Sequence, residues 1–274
     1  MTIYLNNHLV VPKVFTDGTP KLDIKHFSPI FNMDNNILWL YEPNEEMTLY
    51  YIVKHLRDYD SSTKINLSMP YLPNARMDRV KTEEEVFTLK WFAEFINSLN
   101  FGTVMLTDVH SIVGEALIDR IGIDNFSLDV FHRKAIDKFN PDVIFFPDAG
   151  AHKRYADNLA FKQYPSTFGN KLCDWKTGEI KSLTIDTPGM IDNKRVLIVD
   201  DICSFGGTFS RSIDQLEEAG ATAVSLAVTH CEDNILKGGL LKEELLESVY
   251  TTDSLYKADS DKVKVVFKFA PQVR

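Results

Sequence analysis

Two adjacent aspartates, Asp200 and Asp201, follow the apolar run Val196–Val199, and Gly206, Gly207 and Thr208 come a few positions later in the same stretch, VLIVDDICSFGGTF. Four apolar residues in succession read as a buried central strand. The acids then stand where that strand leaves its sheet. The glycine pair permits a tight turn whose backbone N–H groups face one ligand. Thr208 opens the next helix, so its hydroxyl and the helix N-terminus favour phosphate. Carboxylates beside a phosphate cradle suit a sugar phosphate, with acids for the ribose hydroxyls and the loop for the 5-phosphate. The plain structural alternative is a strand–turn–helix corner with acids at its rim.

The elements that must hold this corner are legible as alternating patterns. The runs ILWLYE (37–42), KINLSMPYL (64–72), GTVMLTDVH (102–110), DVIFFPDAG (142–150), RVLIVDD (195–201) and AVSLAVTH (223–230) read as buried strands. Runs apolar on both faces predict a parallel sheet covered by helices. In TEEEVFTLKWFAEFINSLN the residues Val86, Leu89, Phe92, Ile96 and Leu99 recur at helical spacing, with Thr82 and Glu85 placed as a capping box. TFSRSIDQLEEAG sets Phe209, Ile213 and Leu216 on one face, with Gly220 at the expected C-terminal cap. The chain thus reads as α/β, in two tandem domains, 1–138 and 139–274, with the boundary near Pro141. The tail DKVKVVFKFAPQVR alternates as a final strand that could return to the first domain. Ligands of such sheets gather at the carboxyl ends of strands, where the polar loops TDVHS, FPDAGA and VDDICSFGG all fall. Trp39, Trp91 and Phe92 read as core, and His8, His26, His55 and His132 lack metal-like spacing.

The chain has 274 residues, enough for two ordinary domains. Its net charge of −9 disfavours general nucleic-acid binding, which needs clustered Lys and Arg. Three cysteines without a CxxC pair argue against a disulfide framework or a zinc ribbon. The start MTIYLNNHLVV has no secretory pattern, and no stretch has the ~20 apolar residues of a membrane span. A cytoplasmic protein is expected.

The 196–209 stretch resembles the phosphoribosyl-pyrophosphate loop of type I phosphoribosyltransferases. Five further segments, in order, resemble the ribose-phosphate pyrophosphokinases of that fold: VFTDGT, MPYLPNARMDRV, TDVHS, FPDAGAHKR and LAVTH. The resemblance implies two tandem phosphoribosyltransferase-like domains, the first for ATP and the second for ribose phosphate. It implies transfer of the β,γ-pyrophosphoryl group of magnesium ATP to an anomeric hydroxyl, a chemistry of alignment and charge neutralisation. Arg76, Asp78, His110, Phe15 and Asp17 match ATP-site positions, the last two on a loop that reaches adenine across a subunit contact. A homo-oligomer, at least a dimer, is therefore expected. His110 and Asp148 match positions beside magnesium, and Asp200, Asp201, Ser204, Phe205, Gly206, Gly207 and Thr208 match the ribose-phosphate site. The stretch Ser166–Ile180 lies where the family carries a mobile catalytic flap, with Gly169 and Gly178 for mobility and Lys171 for the migrating charge.

The departures from that pattern are specific. The flap's Lys-x-Arg is here Lys171, Leu172, Cys173, with Lys176 as a substitute; the signature glutamine is Met77; the glutamate of the first loop is Thr19. Synthetase cradles read D-T-G-G-T, whereas Ser204 and Phe205 stand here, removing one charge and one hydroxyl. An aromatic ring could stack on an attached nucleoside, so ADP-ribose joins ribose 5-phosphate as an expected acceptor. A base-transferring phosphoribosyltransferase and a non-catalytic regulatory subunit are the alternatives.

Overall fold

Each of the six apolar runs forms a strand, and together they anchor two sheets. The computed structural model describes residues 2–24, 34–173 and 180–271. The chain divides into one unit of residues 1–125 with 269–274, and a second of residues 126–268.

The first unit opens with β1 (Ile3–Leu5), β2 (His8–Leu9) and a small hairpin, β3 (Lys13–Val14) and β4 (Pro20–Lys21). There follow β5 (Asn35–Trp39), α1 (Glu46–Tyr59), β6 (Ile65–Ser68), α2 (Thr88–Ser98), β7 (Val104–Leu106), α3 (Ile112–Leu117) and β8 (Ile121–Ile123). The sheet runs β2-β1-β5-β6-β7-β8. β5 to β8 are parallel, and β1 is antiparallel to both its neighbours. Leu49, Ile52, Val53 and Leu56 of α1 and Leu89, Phe92 and Ile96 of α2 fill the core around Trp39. A buried carboxylate ties this core to the chain start. Glu45 accepts from Trp39 Nε1 at 3.0 Å, Thr2 N at 2.9 Å and Thr2 Oγ1 at 2.7 Å. Such charge-assisted bonds are what permit a buried carboxylate.

The second unit contains α4 (Asn125–Phe139, whose first residue falls to the first unit), β9 (Val143–Phe146), α5 (Ala149–Tyr155), β10 (Ser166–Cys173), β11 (Ile180–Ile185), β12 (Arg195–Cys203), α6 (Gly207–Glu218), β13 (Ala223–Cys231), β14 (Leu246–Thr252) and β15 (Val263–Phe267). Its sheet runs β11-β10-β9-β12-β13-β14-β15, parallel throughout except for β11. Every residue of β13 is buried, as a central parallel strand requires. The fold is α/β as expected.

Four local expectations shift. The division falls after the first residue of α4 rather than at 138/139, because Phe131, Ala135, Ile136 and Phe139 pack into the second core with Ile144 and Phe146. The tail strand does not return to the first unit: β15 pairs with β14, and only residues 269–274 group with the first unit. α2 starts at Thr88, not after Thr82, since Glu85 Oε2 instead accepts from Lys81 N at 2.7 Å in the preceding turn. Trp91 is exposed on α2, its ring under the Lys90 ammonium at 4.8 Å, while Trp39 and Phe92 are core. The C-terminal cap of α6 is as expected, with Gly220 at φ +88°.

His132 on α4 is wholly buried among Phe131, Tyr155 and Phe161, and its Nδ1 lies 3.3 Å from Asn158 Nδ2. Burial drives its pKa down from 6.5 to about 3. Above the unfolded value both states are neutral there. Between the two values only the unfolded chain takes up the proton, so stability falls with falling pH. Chemical denaturation between pH 6 and 4 should show this one group contributing about 1.4 kcal/mol per pH unit. The slope should lessen by that amount in His132→Gln.

Candidate active site

β9 and β12 are neighbours, and aspartates lie just beyond the end of one and near the end of the other. Asp148 follows β9 and caps α5, its Oδ1 accepting from Ala151 N at 2.9 Å. Asp200 and Asp201 lie within β12, where alternation sends them to opposite faces of the sheet. Asp201 is buried and held by Arg154 at the end of α5, with Nη1 to Oδ1 at 2.8 Å. Asp200 is half-buried and accepts from the Asp201 N–H at 3.0 Å. Burial pushes the Asp200 carboxyl well above the ordinary value, and the Asp201 and Asp148 charges add to the push. Asp200 is thus the more exposed acid, poised to gain from a hydroxyl donor or a cation.

The loop after β12 is built by close approach. Gly206 takes φ +84° and caps α6, its carbonyl accepting from Ser210 N at 3.0 Å. A Cβ there would also lie 2.5 Å from Leu240 Cδ2. Gly238 passes directly against the Phe205 carbonyl oxygen, where a Cβ would overlap it. A Cβ on Gly207, by contrast, would meet open space. The N–H groups opening α6 therefore stand at the end of β12, with Thr208 in the first turn. Phe205 is 55% exposed. Ser204 Oγ donates to Glu232 Oε2 at 2.6 Å, and Glu232 N donates to Cys203 O at 2.8 Å. Beneath the loop, Cys203 and Cys231 face each other in register on β12 and β13, both buried. The hydrogen bond to Cys203, then burial, push the Cys231 thiol up. His230 is buried and bonded to Ser254 Oγ at 2.8 Å, among the hydroxyls of Thr251 and Thr252.

The first unit holds the other expected residues. Phe15 is 57% exposed at the tip of the β3–β4 hairpin. Gly18 turns at φ +86°, and Asp17 Oδ1 accepts from Thr19 N at 2.9 Å, a bond that lowers the Asp17 pKa. Arg76 is exposed, and Asp78 is half-buried with Arg79 Nε 3.5 Å away. His110 follows β7 after Asp108, which is buried at φ +51°.

The expected flap differs in kind. Ser166–Cys173 is a strand, not a loop: it pairs in parallel with β9 and in antiparallel fashion with β11, so that Lys171 stands opposite Leu183. The side chain of Lys171, and Lys176 and Gly178 altogether, lie outside the described residues. His110 and Asp148, expected beside one metal, belong to different units. Among the described residues, no group of three or more His, Cys, Asp or Glu forms a metal cage. The hard oxygens of Asp148 and Asp200 nonetheless suit magnesium, which takes few carboxylates and completes its shell with water and substrate phosphate.

The sequence reading gave no role to Arg154, Glu232 or Gly238. Arg154 lay within a quoted motif, FPDAGAHKR. Nothing in sequence links Glu232 or Gly238 to a loop some 30 positions upstream.

The phosphoribosyl transferase domain profile matches residues 133–267. Ribose-phosphate pyrophosphokinase 1 of Streptococcus pyogenes is 28% identical over 205 residues, 69% of this chain and 62% of its own length. The ribose-phosphate pyrophosphokinase of Cereibacter sphaeroides is 29% identical over 218 residues, 76% of this chain and again 62% of its own length. The matched region thus spans less than two thirds of these curated relatives. The crystal structure of phosphoribosylpyrophosphate synthetase from Mycobacterium smegmatis superposes with a TM-score of 0.70 at 19% identity, covering 96% of this chain and 87% of that one. The fold is therefore that of two tandem type I phosphoribosyltransferase-like domains. Over 69–76% of its length the chain is thus similar to ribose-phosphate pyrophosphokinases, at identities of 28–29%.

Removing the Arg154 guanidinium would take the ion-pair partner from the buried Asp201 charge. Arg154→Met should lose about 3 kcal/mol of stability in urea denaturation. The double variant with Asp201→Asn should recover part of the loss.

Proposed function

We propose that the protein transfers the β,γ-pyrophosphoryl group of magnesium ATP to the anomeric hydroxyl of a ribose 5-phosphate moiety. The anomeric oxygen attacks the β-phosphorus, the bond to the α-phosphate bridging oxygen breaks, and AMP leaves while the hydroxyl proton passes to solvent. The observation that carries this reading is the acidic end of β12 standing against the N-terminus of α6, in a chain similar to ribose-phosphate pyrophosphokinases. Asp200 binds ribose hydroxyls, with Asp201 fixing the strand end through Arg154. The N–H groups from Gly206 to Thr208 take the phosphate. Arg76, Asp78 and His110 hold ATP, with Phe15 and Asp17 reaching the adenine of a neighbouring copy. The exposure of Phe15, 57%, suits that role. A homodimer or larger assembly follows, to be checked by sedimentation. Lys171 meets the migrating charge. Asp148 holds magnesium, directly or through water, and the cation neutralises phosphate charge when bound.

Between acceptors, the loop favours ADP-ribose over free ribose 5-phosphate. Phe205 offers an exposed ring beside the cradle, and Ser204 turns its hydroxyl toward Glu232. ADP-ribose presents the same anomeric hydroxyl, and its pyrophosphorylated product would accept nicotinamide to give NAD. AMP release should be measured with magnesium ATP and each acceptor in turn. The expected result is turnover with ADP-ribose exceeding that with ribose 5-phosphate, and Asp200→Asn lowering kcat/KM roughly tenfold to a hundredfold. Turnover confined to ribose 5-phosphate would remove the larger acceptor. Pyrophosphate release with a free base and no ATP would favour base transfer. Absence of AMP with either acceptor would favour a regulatory subunit, the reading that Leu172 and Cys173 in place of the flap arginine also suit.

A further inference from the structure

Ser204 belongs to the cradle by position, yet its hydroxyl is engaged by a carboxylate of the same chain. Ser204 Oγ lies 2.6 Å from Glu232 Oε2. A serine hydroxyl has one proton to donate, and an ionised carboxylate has none. The shared hydrogen is therefore the Ser204 proton, held in a short charge-assisted bond. The arrangement is braced on both sides. Glu232 N donates to Cys203 O at 2.8 Å, Asn234 Nδ2 donates to the same Glu232 Oε2 at 3.1 Å, and Lys237 Nζ donates to Asn234 Oδ1 at 3.0 Å. The carboxylate is thus fixed at the end of β13, immediately beneath the residue that starts the loop.

We propose that Glu232 is a specificity-determining residue, acting through Ser204: by engaging the only proton of that hydroxyl it makes Ser204 an acceptor toward the ligand. The phosphate is then bound by backbone N–H groups of the loop and the α6 terminus and by Thr208, with no side-chain donor from positions 204 or 205. A terminal phosphomonoester, near −2 in charge with three acceptor oxygens, gains from every added donor. A phosphate already joined in a diester carries one charge and gains less. The Ser204–Glu232 pair therefore lowers the preference for a terminal phosphate and leaves a linked phosphate, as in a nucleoside diphosphate sugar, the better fit. This inference rests on the assignment of the cradle to phosphate made above, and it does not depend on the reaction performed there.

The test is a coupling measurement by calorimetry, with inorganic phosphate as the probe. In the native protein, Ser204→Ala should change phosphate affinity by less than about twofold, since the hydroxyl gives the ligand no donor. Glu232→Ala frees the proton and should tighten phosphate about tenfold, the worth of one bond to a charged group. Ser204→Ala placed on Glu232→Ala should remove that gain. Glu232→Gln keeps a carbonyl oxygen to accept the proton and should behave as the native protein. Equal effects of Ser204→Ala in both backgrounds, or no tightening in a folded Glu232→Ala, overturn the proposal. Should Glu232→Ala fail to fold, Ser204→Ala alone decides, because a tenfold loss in the native background has the same consequence. A native protein that binds no phosphate removes the cradle and the proposal together. One that binds phosphate as described but releases no AMP removes only the pyrophosphoryl transfer.

Discussion

The carbonyl oxygen of Phe205 rests against Gly238, where even one added carbon would overlap it, and Leu240 fills the space beside Gly206. This contact between two loops determines the path of the chain between β12 and α6. Leu240 is fully buried, and covering a side chain of that size contributes about 2 kcal/mol. With the segment after β13 pressed against it, the chain leaves β12, turns through a left-handed residue and enters α6 within four positions. The acids and the helix N-terminus come together for that reason. A side chain at either glycine would move the turn and separate them.

Strand alternation then gives the two acids different work. Val196 and Ile198 face one core, Leu197 and Val199 the other. Asp201 follows the second set and meets Arg154 from α5, while Asp200 follows the first toward the α6 side. The ion pair keeps a buried charge compensated. For Asp200, by contrast, burial raises the proton affinity first, and the acidic neighbours add repulsion to it. A pair that looks equivalent in sequence is one ion-paired anchor and one more exposed carboxyl of raised proton affinity.

Much of this was legible beforehand. The six apolar runs are strands because a strand covered on both faces must be apolar throughout, and that signal is local. The turn at Gly206 and the cap at Gly220 were legible for the same reason, since only certain residues tolerate φ above zero. Position 82 misled because a Thr-x-x-Glu pattern satisfies a turn as readily as a helix start; the Lys81 N–H took the carboxylate. The domain edge misled because Pro141 interrupts the chain conspicuously, whereas α4 declares its allegiance through contacts with β9. Arg154, Glu232 and Gly238 were silent for want of any local signature. Each matters through a partner 28 or more residues away, a relation that periodicity does not encode. The strand character of Ser166–Cys173 was hidden by its glycine and polar content, which reads as loop until β9 supplies a partner.

The thiols beneath the loop carry one more implication. With Cys203 Sγ donating to Ser204 O and Cys231 Sγ to Glu232 O, each at 3.7 Å, and both shut away from solvent, neither sulfur is within reach of an alkylating reagent while the sheet is closed. Labelling at these two positions therefore waits on separation of β12 from β13. Those strands carry the acidic strand end on one side and Glu232 on the other. The pair is a built-in clock for the opening of the sheet's centre: its labelling rate reads how often the ligand platform comes apart, without any added probe.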